Sequence, residues 1–141
     1  GAAALILMRE SDAKAKGLQP LARDMGHTTH SQAPSEFTVA PIGAMNSLLG
    51  KLDWTKDDVD LWEINEAFAS VALRFMKDLG IDDSITNVNG GAIAMGHPLG
   101  ATGGMLIGTI LDELERRQLK RGLVALCVGG GMGIATIIER V

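Results

Sequence analysis

Short apolar runs alternate along the chain with segments whose apolar residues recur every three or four positions. Continuous apolar runs at residues 2–8 and 61–64 predict buried strands, and residues 21–29 predict a further strand. The C-terminal runs 123–128 and 134–139 are separated by a glycine-rich segment, which predicts a hairpin. Strands that alternate with helices and end in a hairpin indicate an α/β domain with a mixed β-sheet.

Amphipathic segments predict the helices of this domain, which cover residues 11–16, 41–51, 66–79 and 99–118. Ser11 is the expected N-cap of the first helix, and Gly17 is expected to follow its end. Gly80 is expected to end the third helix in the same way. An extended segment is expected to begin at Asn87. Helices on both faces of the sheet would bury it within one domain spanning residues 1–141.

Composition narrows the class of protein further. Hydrophobic residues make up 46% of the 141 positions and charged residues 21%, which is typical of a folded globular domain. The 13 Lys and Arg against 17 Asp and Glu give a net charge of −4, so nucleic acid is not an expected partner. The single cysteine excludes an internal disulfide and a multi-cysteine zinc site, and no metal is expected.

Two uncharged segments raise the question of membrane insertion or targeting. The stretch 85–111 contains seven glycines and Pro98, so it is not expected to form a membrane span. Residues 1–8 lack an initiator methionine and a basic region, so they do not look like a signal peptide. An apolar strand at the first position is instead expected in a fragment of a longer protein. The lone reduced thiol makes the cytoplasm the expected location.

The first candidate for chemistry is the sequence Asn65-Glu66-Ala67-Phe68, at the junction of the strand 61–64 and the following helix. A polar side chain at the carboxyl end of a strand, beside a helix N-terminus, is a usual position for site residues in α/β proteins. The alternative is that Asn65 acts only as a helix N-cap, since Asn is a preferred residue there. The sequence pattern leaves both roles open.

A glycine-rich segment around His97 is the second candidate. His97 stands between a glycine and a proline, just before a predicted helix whose positive end would favour an anion near the imidazole. Glycines recur every four residues along one face of that helix, at positions 100, 104 and 108. This spacing predicts the close approach of another backbone. The remaining histidines, His27 and His30, have no such neighbours and are expected to be surface or loop residues.

The only thiol of the chain, Cys127, is the third candidate, because it stands at the end of a predicted strand before the glycine-rich segment 128–133. Backbone N–H groups in such a loop form a cradle for an oxyanion or a phosphate. A buried, unreactive cysteine and a simple tight turn are the alternatives. A nucleotide cradle is disfavoured, because the chain has neither G-x-x-x-x-G-K-S/T nor a G-x-G-x-x-G segment before a helix.

Together, these three segments resemble the C-terminal motifs of the thiolases, the acetyl-CoA acetyltransferases and 3-ketoacyl-CoA thiolases. NEAF at 65–68, GHPLGATGG at 96–104 and CVGGGMG at 127–133 match those motifs in order, spacing and flanking strands. The resemblance runs from Gly1 to Val141. It implies a thiolase-like domain and an acyltransferase that uses coenzyme A thioesters as substrates and needs no other cofactor.

The resemblance also implies roles for individual residues. Cys127 matches the family's second active-site cysteine, the acid/base that removes the α-proton of the acetyl thioester. His97 matches the histidine that activates the nucleophilic cysteine and contributes to an oxyanion hole. Asn65 matches the residue that holds a catalytic water beside that histidine. Gly129 matches a glycine whose N–H group belongs to the second oxyanion hole.

The resemblance further implies that part of the active site lies outside this chain. Phe37 and Phe68 match positions that line the pantetheine and acyl channel, but the family's nucleophilic cysteine belongs to an N-terminal half, and this chain has no second cysteine. We therefore expect the C-terminal catalytic domain of a thiolase, inactive alone, with an acyl-CoA substrate, the N-terminal half and further copies of itself as partners. The reaction implied is the condensation of two acetyl-CoA or the thiolysis of 3-ketoacyl-CoA.

Two other functions remain as alternatives, a non-catalytic thiolase-like assembly or binding module and a nucleotide-binding α/β domain. If the domain is separated from another half, the glycine face of the helix 99–118 and the strand 2–8 are expected to lack partners. Apolar side chains in those two segments would then be exposed to solvent.

Overall fold

A four-stranded mixed sheet forms the centre of the domain in the computed structural model, which describes every residue from Gly1 to Val141. The strands are, in chain order, β1 (Ala22–Ser31), β2 (Leu61–Ile64), β3 (Arg121–Val128) and β4 (Met132–Arg140). Within the sheet their order is β1-β4-β3-β2. β2 runs parallel to β3, whereas β4 is antiparallel to both of its neighbours. The predicted mixed sheet and C-terminal hairpin are therefore confirmed.

Helices cover both faces of this sheet, as the sequence predicts. They are α1 (Glu10–Ala15), α2 (Ala40–Leu52), α3 (Ala69–Leu79), the single turn α4 (Ala92–Met95) and α5 (Thr102–Arg116). One core cluster packs α2 and α3 against the sheet through Met45 and Phe75, and a smaller cluster packs α5 on the opposite face through Ile110. Successive residues of β3 enter different clusters, Leu123 the larger and Val124 the smaller, as strand alternation requires.

Two helices begin later than the apolar pattern predicts, because extended or turn segments precede them. α3 begins at Ala69 rather than at residue 66, since Phe68 is extended, with φ −147° and ψ 151°. α5 begins at Thr102 rather than at residue 99, since a turn closed by the Ala101 N–H and the Pro98 carbonyl, 2.7 Å apart, comes first. Both shifts lie within the NEAF and GHPLGATGG segments, which contain residues that are extended or in a turn rather than helical.

Three other local predictions differ from the structure. α1 begins at Glu10 with Arg9 as its N-cap, so the N-cap role predicted for Ser11 is wrong. Asn87 begins no extended segment, because it adopts a left-handed φ of 47° at the start of a turn. His30 is half-buried in β1 rather than in a surface loop, whereas His27 in the same strand is exposed, as expected of a surface residue. Separately, none of the helices has the length and apolar composition that crossing a bilayer requires.

The N-terminal residues do not form the predicted buried strand. Residues 2–8 lie outside every helix and strand, and Ile6 and Leu7 are 89% and 73% exposed. No strand of this chain pairs with them, so their backbone does not join the sheet. Their expected exposure is therefore observed. The glycine face of α5 is partly covered, since a Cβ added at Gly104 would lie 2.8 Å from the Ala3 Cβ, while Gly108 meets nothing within 4 Å.

The hairpin between β3 and β4 requires glycine for two different reasons. Gly130 and Gly131 adopt left-handed φ values of 91° and 90°, which residues with a Cβ rarely tolerate. Gly133 instead lies against the first turn of α2, where an added Cβ would stand 2.2 Å from the backbone nitrogen of Pro41. Because backbone atoms of a packed helix cannot move aside cheaply, Gly133 sets how closely α2 approaches the hairpin.

Replacement of Gly133 by Ala is expected to lower the free energy of unfolding by about 1–3 kcal/mol, the usual cost of overpacking. The matched control is Gly50→Ala within α2, where an added Cβ meets nothing within 4 Å. That control is expected to raise stability by about 0.5–1 kcal/mol, because Ala loses less conformational freedom than Gly in a helix. Urea unfolding measures both changes, and equal midpoints for the two variants would contradict the assigned contact.

Glu63 is a carboxyl group inside the domain. Strand alternation places it on the same face of β2 as Leu61, toward α5, and the residue is only 2% exposed. Burial raises the pKa of its carboxyl to about 7, and repulsion from Glu66 and Glu113 adds to the shift. Its Oε2 atom has no hydrogen-bond partner. The folded domain therefore holds a proton on Glu63 that the unfolded chain has already lost near neutral pH.

Because the pKa of Glu63 is raised on folding, the domain is expected to lose stability as pH rises from about 4.5 to 7. The loss amounts to roughly 3 kcal/mol at most, since each pKa unit corresponds to about 1.4 kcal/mol. Glu63→Gln cannot ionise, so its stability relative to the original chain should increase between pH 5 and pH 8. Urea unfolding of both proteins at the two pH values tests this, and a constant difference would contradict it.

Candidate active site

The carboxyl ends of the parallel strands β2 and β3 meet at one edge of the sheet, where predicted site residues gather. Asn65 directly follows β2, and Cys127 lies next to the last residue of β3. The Asn65 N–H donates to the Ala125 carbonyl at 2.9 Å, which continues the pairing of β2 with β3 beyond the last residue of β2. This bond places Asn65 beside β3, two residues before Cys127.

Asn65 and His97, predicted from separate motifs, are in direct contact. The Asn65 side chain is buried, and its Nδ2 atom lies 3.2 Å from His97 Nε2. Since α3 does not begin until Ala69 and Phe68 is its N-cap residue, the alternative role of Asn65 as a helix N-cap is wrong. The Oδ1 atom of Asn65 is also buried and has no hydrogen-bond partner in the protein. The side chain therefore offers a buried acceptor next to an imidazole.

Thr102 fixes the tautomer of the neutral His97 ring. Its hydroxyl donates to the Pro98 carbonyl at 3.0 Å and lies 2.7 Å from His97 Nδ1. A hydroxyl has one proton, so Thr102 must accept from a protonated Nδ1. The lone pair of the neutral ring is then on Nε2, which matches its position as acceptor for the Asn65 amide. His97 is thereby held with Nε2 as the acceptor atom of the ring, paired with the Asn65 amide.

Three further residues, Thr102, Glu66 and Asn87, complete this arrangement, although the sequence predicted no role for them. Thr102 is part of the GHPLGATGG segment, and Glu66 is part of NEAF, so both had a signal in the motifs. Asn87 had none, because it lies in a short polar stretch predicted to be extended. Its side chain bonds both backbone groups of Ile64, accepting from the N–H at 2.8 Å and donating to the carbonyl at 2.9 Å.

Cys127 lies within β3, opposite Gly133 of β4, and is partly buried. Burial raises the pKa of its thiol, and a hydrogen bond from its own backbone offsets this only in part. Neither a histidine nor a helix end lowers the pKa of this thiol in the structure. No hydrogen bond joins the thiol to the Asn65–His97 pair, although all three lie at the same edge of the sheet.

Gly129 begins the turn that follows Cys127 and is exposed to solvent. No backbone carbonyl of the protein accepts from the Gly129 N–H group, and the space where a Cβ would stand is open. A free backbone donor two residues after a thiol is suited to binding a transient negative charge. The edge therefore combines an imidazole, a thiol and a free amide donor.

The two phenylalanines predicted to line a channel lie in different surroundings. Phe68 is the last residue of the NEAF segment and is 57% exposed. Phe37 is half-buried within a 3-10 helix, Pro34–Val39, which packs against α3. His27 is exposed, and the His30 ring packs on Gly43; no hydrogen bond joins either histidine to Asn65 or His97.

Comparisons with known proteins agree with this arrangement of motifs. The family model for the thiolase C-terminal domain matches residues 18–140. The acetyl-CoA acetyltransferase of Paracoccus denitrificans is 49% identical over 140 residues, which are 99% of this chain and 36% of that protein. The crystal structure of the Bacillus anthracis acetyl-CoA acetyltransferase superposes with a TM-score of 0.92 at 45% identity, over 95% of this chain and 34% of that one.

A 3-ketoacyl-CoA thiolase is also similar. The crystal structure of the human mitochondrial enzyme superposes with a TM-score of 0.90 at 42% identity, over 94% of this chain and 33% of that one. The chain thus spans about a third of the length of the relatives that it matches. Because the family match covers nearly the whole sequence, the chain belongs to the thiolase family and corresponds to the thiolase C-terminal domain.

Proposed function

We propose that this chain supplies the C-terminal part of the active site of a coenzyme A-dependent thiolase. The observation that carries the proposal is the 3.2 Å contact between Asn65 Nδ2 and His97 Nε2, at the sheet edge that also holds Cys127. A thiolase needs two thiols, one to carry the acyl group and one to move a proton. This chain has one, so the acyl-carrying cysteine is assigned to an N-terminal half.

Cys127 is the proposed acid/base. In the condensation, its thiolate removes an α-proton from acetyl-CoA, and the resulting carbanion attacks the acetyl carbonyl on the nucleophilic cysteine. A carbon–carbon bond forms, the carbon–sulfur bond to that cysteine breaks, and the products are acetoacetyl-CoA and a free cysteine thiolate. Burial raises the pKa of the Cys127 thiol, so its thiolate is a strong base once it forms but is a minor form near neutral pH.

His97 is the proposed activator of the nucleophilic cysteine. Since Thr102 holds the ring proton on Nδ1, Nε2 is the basic atom of the ring, and it can take the proton of that cysteine once the Asn65 amide releases its lone pair. Once protonated, Nε2–H becomes a donor to the thioester oxygen. Asn65 keeps the ring in place and, through its unpartnered Oδ1, is proposed to hold the catalytic water. The Gly129 N–H is the proposed donor to the second oxyanion.

The proposed substrate is acetyl-CoA, in line with the names of the Paracoccus denitrificans and Bacillus anthracis relatives. The human relative is a 3-ketoacyl-CoA thiolase, so cleavage of longer 3-ketoacyl chains is the alternative. Phe37 and Phe68 are proposed to contact the pantetheine and acyl groups. The proposed partners are an N-terminal thiolase half and further copies of the protein, and the proposed location is the cytoplasm.

The 141-residue chain alone is expected to show no sustained thiolysis of acetoacetyl-CoA by CoA, because it lacks the second thiol. A chimera that joins the N-terminal part of the Paracoccus denitrificans acetyl-CoA acetyltransferase to Gly1 is expected to be active. The absorbance of acetoacetyl-CoA measures the reaction. A chimera that folds, assembles and remains inactive would support the non-catalytic assembly module instead.

Within the chimera, His97→Asn and Cys127→Ala are each expected to lower kcat about 10²–10⁴-fold, the usual contribution of general acid–base catalysis. The matched control is His27→Asn, since His27 lies exposed in β1 away from the site. This control should keep the full rate. Equal activity of His97→Asn and His27→Asn would exclude the role proposed for His97.

A further inference from the structure

The sheet ends at β2, but further hydrogen bonds are made to the β2 backbone on its outer side. β2 is an edge strand, paired on one side with β3. On its outer side, Trp62 forms a single isolated bridge with Thr86, and the Asn87 N–H donates to the Trp62 carbonyl at 2.8 Å. Beyond that bridge the Asn87 side chain takes the place of a strand partner for Ile64. The residue immediately before Asn65 is thus held on both of its backbone groups.

Glu66, on the other side of Asn65, connects β2 to the segment that carries His97. Its Oε1 atom accepts from Asn87 Nδ2 at 3.0 Å, and its Oε2 atom accepts from the Ile93 N–H at 3.1 Å. Ile93 belongs to α4, which leads through Gly96 to His97. Hydrogen bonds to a carboxylate are stronger than those between neutral groups. One carboxylate therefore joins two segments that are distant in sequence.

Gly91 allows this carboxylate to lie directly on the loop backbone. A Cβ added at Gly91 would stand 2.2 Å from Glu66 Cδ and collide with both carboxylate oxygens. Asn87 itself has a left-handed φ of 47°, a conformation that Asn tolerates better than most residues with a Cβ. The missing Cβ of Gly91 and the left-handed backbone of Asn87 thus both allow the Glu66 carboxylate to contact this loop.

We propose that Glu66 and Asn87 are positioning residues that set the distance between Asn65 and His97. Asn87 fixes the backbone just before Asn65, and Glu66 fixes the segment that leads to His97. The two residues touch each other, so neither side of the Asn65–His97 contact can shift without breaking this bridge. The contact geometry stands by itself, whereas its importance for the reaction rests on the proposed thiolase function.

The bridge can be tested in the 141-residue chain by ¹⁵N NMR of its three histidines, which needs no catalytic activity. Asn87→Asp keeps the acceptor for the Ile64 N–H but turns the contacts with the Ile64 carbonyl and with Glu66 into repulsions. Glu66→Gln cannot accept at both of its positions at once. Each variant is expected to change the His97 ratio of Nδ1–H to Nε2–H tautomers about fivefold, as the loss of one hydrogen bond predicts. The ratios of His27 and His30 should not change.

Two further variants separate positioning from general destabilisation. The double variant Glu66→Gln/Asn87→Asp exchanges donor and acceptor between the two side chains, so part of the His97 tautomer ratio should return. Asn46→Asp is the control for the added charge, because Asn46 is exposed on α2. Unfolding midpoints are recorded in parallel.

The proposal is overturned if both single variants leave the His97 ratio unchanged. It is also overturned if the resonances of all three histidines change together with a loss of cooperative unfolding and the double variant restores nothing, since that pattern indicates a merely structural role. An inactive chimera combined with a His97 ratio that follows the variants would contradict the thiolase function and leave the bridge supported.

Discussion

The hydrogen bonds between the parallel strands β2 and β3 determine where this domain can carry chemistry. They place the end of β2, with Asn65, beside Ala125 and so close to Cys127 along β3. Parallel strands require a crossover connection, which here contains α3, the loop with His97 and α5. The crossover passes the same edge of the sheet on its way back. His97 therefore reaches Asn65 although 31 residues of chain lie between them.

The apolar runs predicted the strands of the sheet because burial on both faces leaves a clear pattern in sequence. Residues 61–64 match β2, and the two C-terminal runs match β3 and β4 within two residues. The same pattern failed at residues 2–8, because an apolar run shows that a segment is suited to burial, whereas pairing needs a neighbouring strand, and this chain provides none. Local hydrophobicity cannot report whether that neighbour exists.

The site could be predicted in part, for a similar reason. Asn65, His97 and Cys127 stand near the ends of helices or strands, where residues such as Gly, Pro and Asn mark the boundary in the sequence. The contact between Asn65 and His97 depends on other side chains, whose signals in the sequence are weaker. Thr102 lies inside the helix predicted over 99–118 and had no predicted role, yet its hydroxyl selects the tautomer of His97. The pKa of Cys127 is raised because burial outweighs its one favourable hydrogen bond, and residue order cannot show that balance.

The edge of the sheet holds its candidate groups through neutral dipoles and one carboxylate rather than through ion pairs. The salt bridges of the domain involve other residues, such as Glu113 with Arg116 and Arg121 with Glu139. In the proposed reaction, negative charge appears only briefly on a thioester oxygen, and a lysine or arginine there would also bind resting anions. Amide and imidazole donors that are already oriented stabilise the charge when it forms and need no reorganisation. The bridge from Glu66 supplies that orientation from outside the reacting atoms.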